Sequence, residues 1–283
     1  MQALQPVKGC EAVKKKVIGR RDRQLVGFQG TEDEHLVTPP EIDIDGERYR
    51  VEALGDYAFN MCLELCTVVL LDGIKKVGDS AFSCCPKLSS ITLPQTMERI
   101  GHSAFFRCDG LEHIELPKNL TDIPNKAFDN CTALRSIISP DGVQRIGEDA
   151  FPNCVALEEV RLPAQLRRIN ADAFSFCERL KRIEIPGSVV KIQRAVFYGC
   201  VRLREFIVLD GVEEIGDAVC TDCTSLEIAQ LPRSLKKLGR NLFRDCHNLK
   251  EIRYTGTLEE WKVVGNDQLG SNARIVCVDG VVM

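Results

Sequence analysis

The sequence predicts a solenoid of stacked α/β repeats, and the first observation behind this prediction is a strict internal period. Nine segments of 23 residues follow one another without one inserted or deleted residue. Each segment carries a cysteine, and the nine are Cys62, Cys85, Cys108, Cys131, Cys154, Cys177, Cys200, Cys223 and Cys246. A leucine follows each cysteine after three residues, from Leu65 to Leu249. A unit this short cannot bury its apolar face alone, so the units must stack on one another.

Two local patterns predict the elements within each unit, which reads A-F-x-x-C-x-x-L-x-x-I-x-L-P-x-x-V-x-x-I-G. The Phe, Cys and Leu recur every three residues, which favours a short helical turn with one buried face. A polar residue that could cap this turn often precedes it, as at Asp56, Asp79, Asn125 and Asp217. The Ile-x-Leu stretch alternates with period two and predicts a short parallel strand, which a residue such as Pro94 ends.

These residues resemble the BspA-type, or Treponema pallidum-type, leucine-rich repeats, whose signature is A-F-x-x-C-x-x-L-x-x-I-x-L-P. The resemblance covers residues 54–264. It implies a right-handed leucine-rich repeat solenoid of the kind found in bacterial surface proteins and some protists, with binding or adhesion roles and no catalytic residues. The departures are local: Val219-Cys220 replaces Ala-Phe, and Leu71 and Leu209 replace the proline. We expect them to loosen the packing or the turns without changing the fold.

We expect one elongated domain with a cap at each end, because the terminal repeats of a solenoid must be covered. Residues 1–53 are the predicted β-rich N-terminal cap, 54–264 the nine repeats and 265–283 the C-terminal cap. In the last unit Trp261 replaces the Ile, and the stretch "ARIVCVDGVVM" predicts one or two final strands.

The composition excludes no soluble class: 44% of the residues are hydrophobic and 28% are charged. The formal net charge of -4 gives no general reason to expect nucleic acid or an anionic membrane as a partner. No apolar run is long enough to cross a bilayer, and the first twenty residues lack the apolar core of a secretory signal. We therefore expect a cytoplasmic monomer, or a cell-surface or secreted protein if an export signal lies outside this sequence.

The chain has fourteen cysteines, and their spacing indicates a structural role. The nine repeat cysteines are expected to be buried, reduced and unreactive spacers. Stacked cysteines have parallel Cβ vectors that disfavour disulfides, and a straight ladder cannot converge on a tetrahedral metal ion. Cys10, Cys66, Cys84 and Cys277 lie outside the register, while Cys220 takes the place of a phenylalanine.

No catalytic pattern is present in the sequence. It contains no phosphate-binding loop, no G-x-G-x-x-G and no H-E-x-x-H. The histidines, which we expect at the surface, are His35, His102, His113 and His247. Enzymes on rigid scaffolds usually carry their catalytic residues on loops inserted between regular elements, and these repeats have no insertion that could form such a loop. We therefore predict no enzyme, no metal and no cofactor.

The outward positions are the candidates for function. In the strand, the candidate partner-binding residues are Glu115, Ile138, Arg161, Glu184 and Ile207. Between the last two apolar positions come three consecutive cations that an acidic ligand could favour, Arg145, Arg168 and Lys191. A row just before the strand alternates in charge and is expected to serve stacking. Our hypothesis is a non-enzymatic scaffold that recognises a protein or a glycan through its concave strand surface, and an adhesin is one version of it. The alternative is a structural spacer without its own recognition site.

Overall fold

The computed structural model describes residues 24–25, 34–44, 46–265 and 268–282. The first strand of each repeat belongs to one series of parallel strands: β2 (His35–Val37), β6 (Thr67–Val69), β8 (Ser90–Thr92), β10 (His113–Ile114), β12 (Ser136–Ile138), β14 (Glu159–Arg161), β16 (Arg182–Ile185), β18 (Glu205–Val208), β20 (Ile228–Leu231) and β22 (Glu251–Tyr254). Three sheets make up this series, with breaks after β10 and after β14.

The second strand of each repeat belongs to a separate series: β1 (Gln24–Leu25), β5 (Ala53–Leu54), β7 (Lys76–Val77), β9 (Arg99–Ile100), β11 (Asp122–Ile123), β13 (Arg145–Ile146), β15 (Arg168–Ile169), β17 (Lys191–Ile192), β19 (Glu214–Ile215) and β21 (Lys237–Leu238). Within the repeats the paired residues of both series are 23 positions apart, as Arg145 and Arg168 are. The first pair of each series is more widely spaced, with His35 opposite Thr67 and Gln24 opposite Ala53. The predicted stacking of equivalent positions is therefore confirmed.

The ends of the described chain use different elements. An antiparallel hairpin, β3 (Glu41–Ile44) with β4 (Glu47–Arg50), precedes the first repeat. After the last repeat come α1 (Leu258–Val264), β23 (Arg274–Cys277) and β24 (Gly280–Val282), and both strands extend the series of first strands, as the sequence predicts. Trp261 of α1 is buried, edge-on to Tyr254 at 5.1 Å between ring centroids. The boundaries 1–53, 54–264 and 265–283 stay a prediction, and most of the first segment lies outside the described residues.

A column of aromatic rings runs through the core. The rings from Phe59 to Phe197 stack face to face, with 5.1 to 5.7 Å between neighbouring centroids. The column is interrupted at Cys220, where Phe206 from β18 lies edge-on to Phe197 at 5.9 Å and to Phe243 at 6.4 Å. The loosening expected at this repeat is not seen, because Phe206 fills the space and Cys220 is fully buried.

The segment expected to be a short helical turn is instead a chain of non-helical turns. Backbone φ is positive two residues before and two residues after the aromatic position, as at Lys126 (57°) and Asn130 (60°) around Phe128. The N–H groups of these three residues donate to carbonyl oxygens of the next repeat at 2.8 to 3.0 Å. The backbone is thus satisfied between repeats rather than within a helix. Because α1 is the one α-helix among the described residues, the solenoid is built of strands and turns.

The polar residues expected to cap those turns bond to the neighbouring repeat. An Oδ1 atom of Asp56, Asp79, Asn125 and Asp217 accepts the N–H of the equivalent residue one repeat later, at 2.8 to 3.1 Å. The same contact explains the glycine that closes many units. A Cβ at Gly147 would lie 2.5 Å from the backbone nitrogen of Asn125, so a side chain there would push the two repeats apart.

Candidate functional site

The repeat cysteines form a ladder of hydrogen bonds between repeats. Eight of them, from Cys85 to Cys246, donate the thiol hydrogen to a carbonyl oxygen 26 residues earlier, at 3.0 to 3.4 Å. Cys131 bonds in this way to Phe105 at 3.1 Å. Burial raises the pKa of the Cys131 thiol well above its ordinary value, so the reactive thiolate is disfavoured. The expected burial is confirmed, whereas the donor role was missed by treating the sulfur as an apolar filler.

The remaining residues considered for chemistry do not gather into a centre within the described part of the chain. Cys66 and Cys84 are half-buried, Cys277 is buried and all three are free thiols, while Cys10 lies outside the described residues. The four histidines are exposed, as expected. In the described ranges no group of three or more His, Cys, Asp or Glu side chains could hold a metal ion. A search of the same ranges finds no helix of the length and apolarity that a bilayer crossing requires.

The five strand residues predicted to bind a partner share one surface, which we call the first-strand face. This face consists of the outward side chains of the first-strand series, two residues apart along each strand. Ile138 is 56% exposed and lies opposite Arg161 of the next repeat. Glu115 and Glu184 are also exposed, and Ile207 is half-buried opposite Glu184.

A second outward row on the first-strand face was missed by the sequence analysis. Its members lie two residues before those of the predicted row and are Thr67, Ser90, His113, Ser136, Glu159, Arg182, Glu205, Ile228 and Glu251. Strand alternation places residues i and i+2 on the same side of a sheet, so the sequence does contain the signal for this row.

The two rows together divide the first-strand face by charge. From β14 onward, which we call the ion-paired half, basic and acidic side chains bind one another. Arg161 lies 3.2 Å from Glu159, and Arg182 lies 2.8 Å from Glu205 of the next repeat. β20 contributes the uncharged Ile228 and Gln230. At the end of the solenoid Glu251 lies 2.7 Å from Arg253 on its own strand and 2.6 Å from Arg274 on the next strand. A partner protein that covered these ion pairs would remove water from charges that already bind one another, and this desolvation costs free energy.

The other half, from β2 to β12, is nearly free of charge and is called the low-charge half. Its outward side chains are His35, Val37, Thr67, Val69, Ser90, Thr92, His113, Glu115, Ser136 and Ile138. The one formal charge belongs to Glu115, whose Oε1 accepts a hydrogen bond from Gln95 at 3.1 Å. Two aliphatic side chains are prominent, since Val37 is 48% exposed and Ile138 is 56% exposed. The centres of protein interfaces are depleted of charged residues, and this half has that composition.

The three predicted cations lie elsewhere, on the outside of the second-strand series. Arg145, Arg168 and Lys191 are in register on β13, β15 and β17. The outer two are neutralised, Arg145 by Asp122 at 3.0 Å and Lys191 by Glu214 at 2.8 Å. The acidic residues that flank the row therefore offset much of the repulsion between these cations. Because these three residues lie on the second-strand series and the other five on the first-strand face, the eight predicted site residues do not form one site.

The row just before the first strand was expected to serve stacking, and two pairs in it confirm attraction between repeats. Arg135 lies 3.5 Å from Glu112 one repeat earlier. Lys181 lies 3.4 Å from Glu158, again one repeat earlier. Both pairs are exposed, so each contributes on the order of 1 kcal/mol or less.

The comparisons with known proteins agree with this geometry. The family model described as "BspA type Leucine rich repeat region (6 copies)" matches residues 42–158 and 144–263. Among solved structures, a leucine rich cell surface protein from Faecalibacterium prausnitzii A2-165 has 19% sequence identity, with 88% of this chain and 95% of that chain covered, at a TM-score of 0.54. A leucine-rich repeat protein from Bacteroides ovatus ATCC 8483 has 21% identity, 94% and 98% coverage and a TM-score of 0.44.

The T. pallidum leucine rich repeat protein has 25% identity, 80% and 81% coverage and a TM-score of 0.38. No protein of curated function matches the chain in sequence. The two family matches overlap and together span residues 42–263, which is most of the chain. The chain therefore belongs to the BspA-type leucine-rich repeat family.

Proposed function

We propose that the chain is a non-enzymatic binding scaffold that recognises a protein through its concave strand surface, and specifically through the low-charge half of the first-strand face. A glycan is the second class of ligand for the same surface. The observation that carries the proposal is Ile138, a large aliphatic side chain held 56% exposed on a strand whose own fold does not require it there. Covering such a side chain contributes on the order of 1 kcal/mol, and more where it fills a pocket in the partner.

The surroundings of Ile138 suit recognition. Ser136 lies on the same strand and face. The repeat before supplies His113 of β10 and Glu115, which directly follows that strand. Hydroxyl, imidazole and carboxylate groups around an aliphatic anchor can set the orientation of a partner by hydrogen bonding. β12 is paired with β14, and just before it the backbone N–H of Arg135 donates to Glu112 of the preceding repeat at 3.1 Å. These bonds hold the strand in place, so little conformational entropy is lost when the surface is covered.

The family supports binding at a surface over catalysis. The Faecalibacterium prausnitzii protein is described as a cell surface protein, and we propose the same location for this chain, with an adhesin-like role. The cytoplasmic location expected from the sequence gains no support from the comparisons. The repeats have no inserted loop that could bring catalytic groups together.

Affinity capture with variant chains tests this choice of face. Ile138→Asp should lose the captured partner, whereas Val263→Asp, a control at an 83% exposed valine of α1, should keep it. The combined substitution of Ile138, Arg161 and Ile207 extends the test across both halves. If that triple variant captures the same partner as the wild type, the first-strand face is not the binding surface and the spacer alternative is favoured.

A further inference from the structure

A groove of about 450 Å³ lies beside the first-strand face, on the side of the turns. Its floor is made of small side chains from two successive repeats, Thr132 and Ala133 followed by Val155 and Ala156. The volume is within the range of about 300 to 1,000 Å³ that is usual for ligand sites.

The groove exists because one position of the repeat changes from small to large. Ala133, Ala156, Arg179 and Arg202 occupy the same position in four successive repeats. The two alanines have short side chains, and the two arginines that follow bring long cationic side chains to the lining of the same groove. Arg135, from the row that precedes the first strand, is a third guanidinium on the rim.

These guanidinium groups keep hydrogen-bond donors to spare. Arg135 lies 3.5 Å from Glu112, between Nε and a carboxylate oxygen, and Arg179 lies 3.6 Å from Glu158, between Nη1 and a carboxylate oxygen. Both distances exceed the usual range of about 2.7 to 3.2 Å for N–H···O bonds, so neither pair is a good hydrogen bond. Arg202 has no ion pair within the described ranges. A guanidinium carries five N–H donors, and most of those here face no protein acceptor.

We propose that this groove binds a carboxylate-bearing peptide segment, that is, a partner stretch in which Asp or Glu residues are spaced by small residues. Guanidinium groups bind carboxylates with two parallel hydrogen bonds, which gives both strength and orientation. A bound peptide would lie over Ala133 and Ala156, because these short side chains leave room that a bulky residue at the same repeat position would fill.

The acidic residues of the rim select a peptide over a dense polyanion. Glu112 and Glu178 line the same groove as the arginines. They would repel closely spaced phosphate or sulfate groups, whereas they can accept hydrogen bonds from the N–H groups of a peptide. Single-stranded nucleic acids are held by stacking on aromatic side chains, and none is among the residues that line this groove. The groove lies off the first-strand face, so this site stands independently of the proposed function.

Fluorescence anisotropy with a short labelled peptide that alternates Asp with Gly tests the site on the full chain. The same peptide with Asn in place of Asp is the probe control. We expect the acidic peptide to bind, and Arg179→Gln with Arg202→Gln to weaken it roughly tenfold or more. The matched control, Arg99→Gln with Arg240→Gln, removes the same charge from two exposed positions outside the groove and should change the affinity less than about twofold.

A steric variant separates the groove from general electrostatics. Ala156→Leu keeps every charge and fills the floor, so it should also weaken the acidic peptide roughly tenfold. Urea unfolding of each variant verifies that the fold is retained. Three results would each overturn the proposal: no binding of the acidic peptide to the wild type, equal losses in the two arginine pairs, or tighter binding of a heparin hexasaccharide than of the peptide.

Discussion

Truncation of one ring in the aromatic column should destabilise the whole solenoid. Phe128 is fully buried, and its ring stacks on Phe105 at 5.3 Å and on Phe151 at 5.1 Å between centroids. Phe128→Ala removes the ring from between two neighbours that cannot collapse into the space, because the backbone ladders hold their repeats at fixed spacing. The expected loss is about 3 to 5 kcal/mol, which includes transfer of the ring and the cavity left behind.

Urea unfolding followed by circular dichroism measures this loss. The control is Phe176→Ala, since Phe176 is 42% exposed and has one edge-on ring contact, with Tyr198 at 5.2 Å. It should cost about 0.5 to 1.5 kcal/mol for that contact. Equal unfolding midpoints for Phe128→Ala and the wild type would refute the stacked column, and equal losses in the two variants would show that burial does not distinguish them.

Three further predictions concern the core and its thiols. Cys220→Phe should destabilise the chain because Phe206 already fills that space, and adding Phe206→Ile should recover much of the loss; strictly additive free energies would contradict this exchange. With a thiol reagent, the ladder cysteines should react only on unfolding, while Cys66 and Cys84 react in the native chain, and rapid labelling of the ladder would contradict its burial. Burial raises the pKa of the Asp129 carboxyl, so its ionised form opposes folding at pH 7. The free energy of unfolding of Asp129→Asn should therefore be at least that of the wild type at pH 7. The difference should shrink as the pH falls through the raised pKa, because the wild-type carboxyl then gains a proton. A difference that grows toward low pH would contradict this sign.

Much of the fold follows from the period of the sequence, because equivalent residues of a stacked repeat must lie above one another. The positions of the strands and the buried rows, including Cys131 and Phe128, are direct consequences. The turn conformation is not, because positive φ falls on residues such as Lys126 and Phe176, which have no intrinsic preference for it. Interactions between repeats impose that conformation, and a search for local propensity cannot detect them. The compensation of Cys220 by Phe206 depends in the same way on packing between two elements.

The candidate surface could be predicted only in part. Period-two alternation identified the row that contains Ile138, and the same rule, applied at i-2, would have identified Ser136 and its equivalents. The division into a low-charge half and an ion-paired half depends on which charges meet. Arg182, for example, binds a residue of the next repeat, Glu205, and one on its own strand, Glu184. Such pairing depends on side-chain geometry, so one row of the sequence does not indicate it.

The most direct measurement is the dissociation constant of a captured protein partner for two variants, Ile138→Asp and Ile207→Asp. Both place the same charge on the first-strand face, one in each half, and both can be compared with the wild type by surface plasmon resonance. We predict that Ile138→Asp weakens binding roughly tenfold or more, and that Ile207→Asp weakens it clearly less. Wild-type affinity in Ile138→Asp would contradict recognition through the low-charge half.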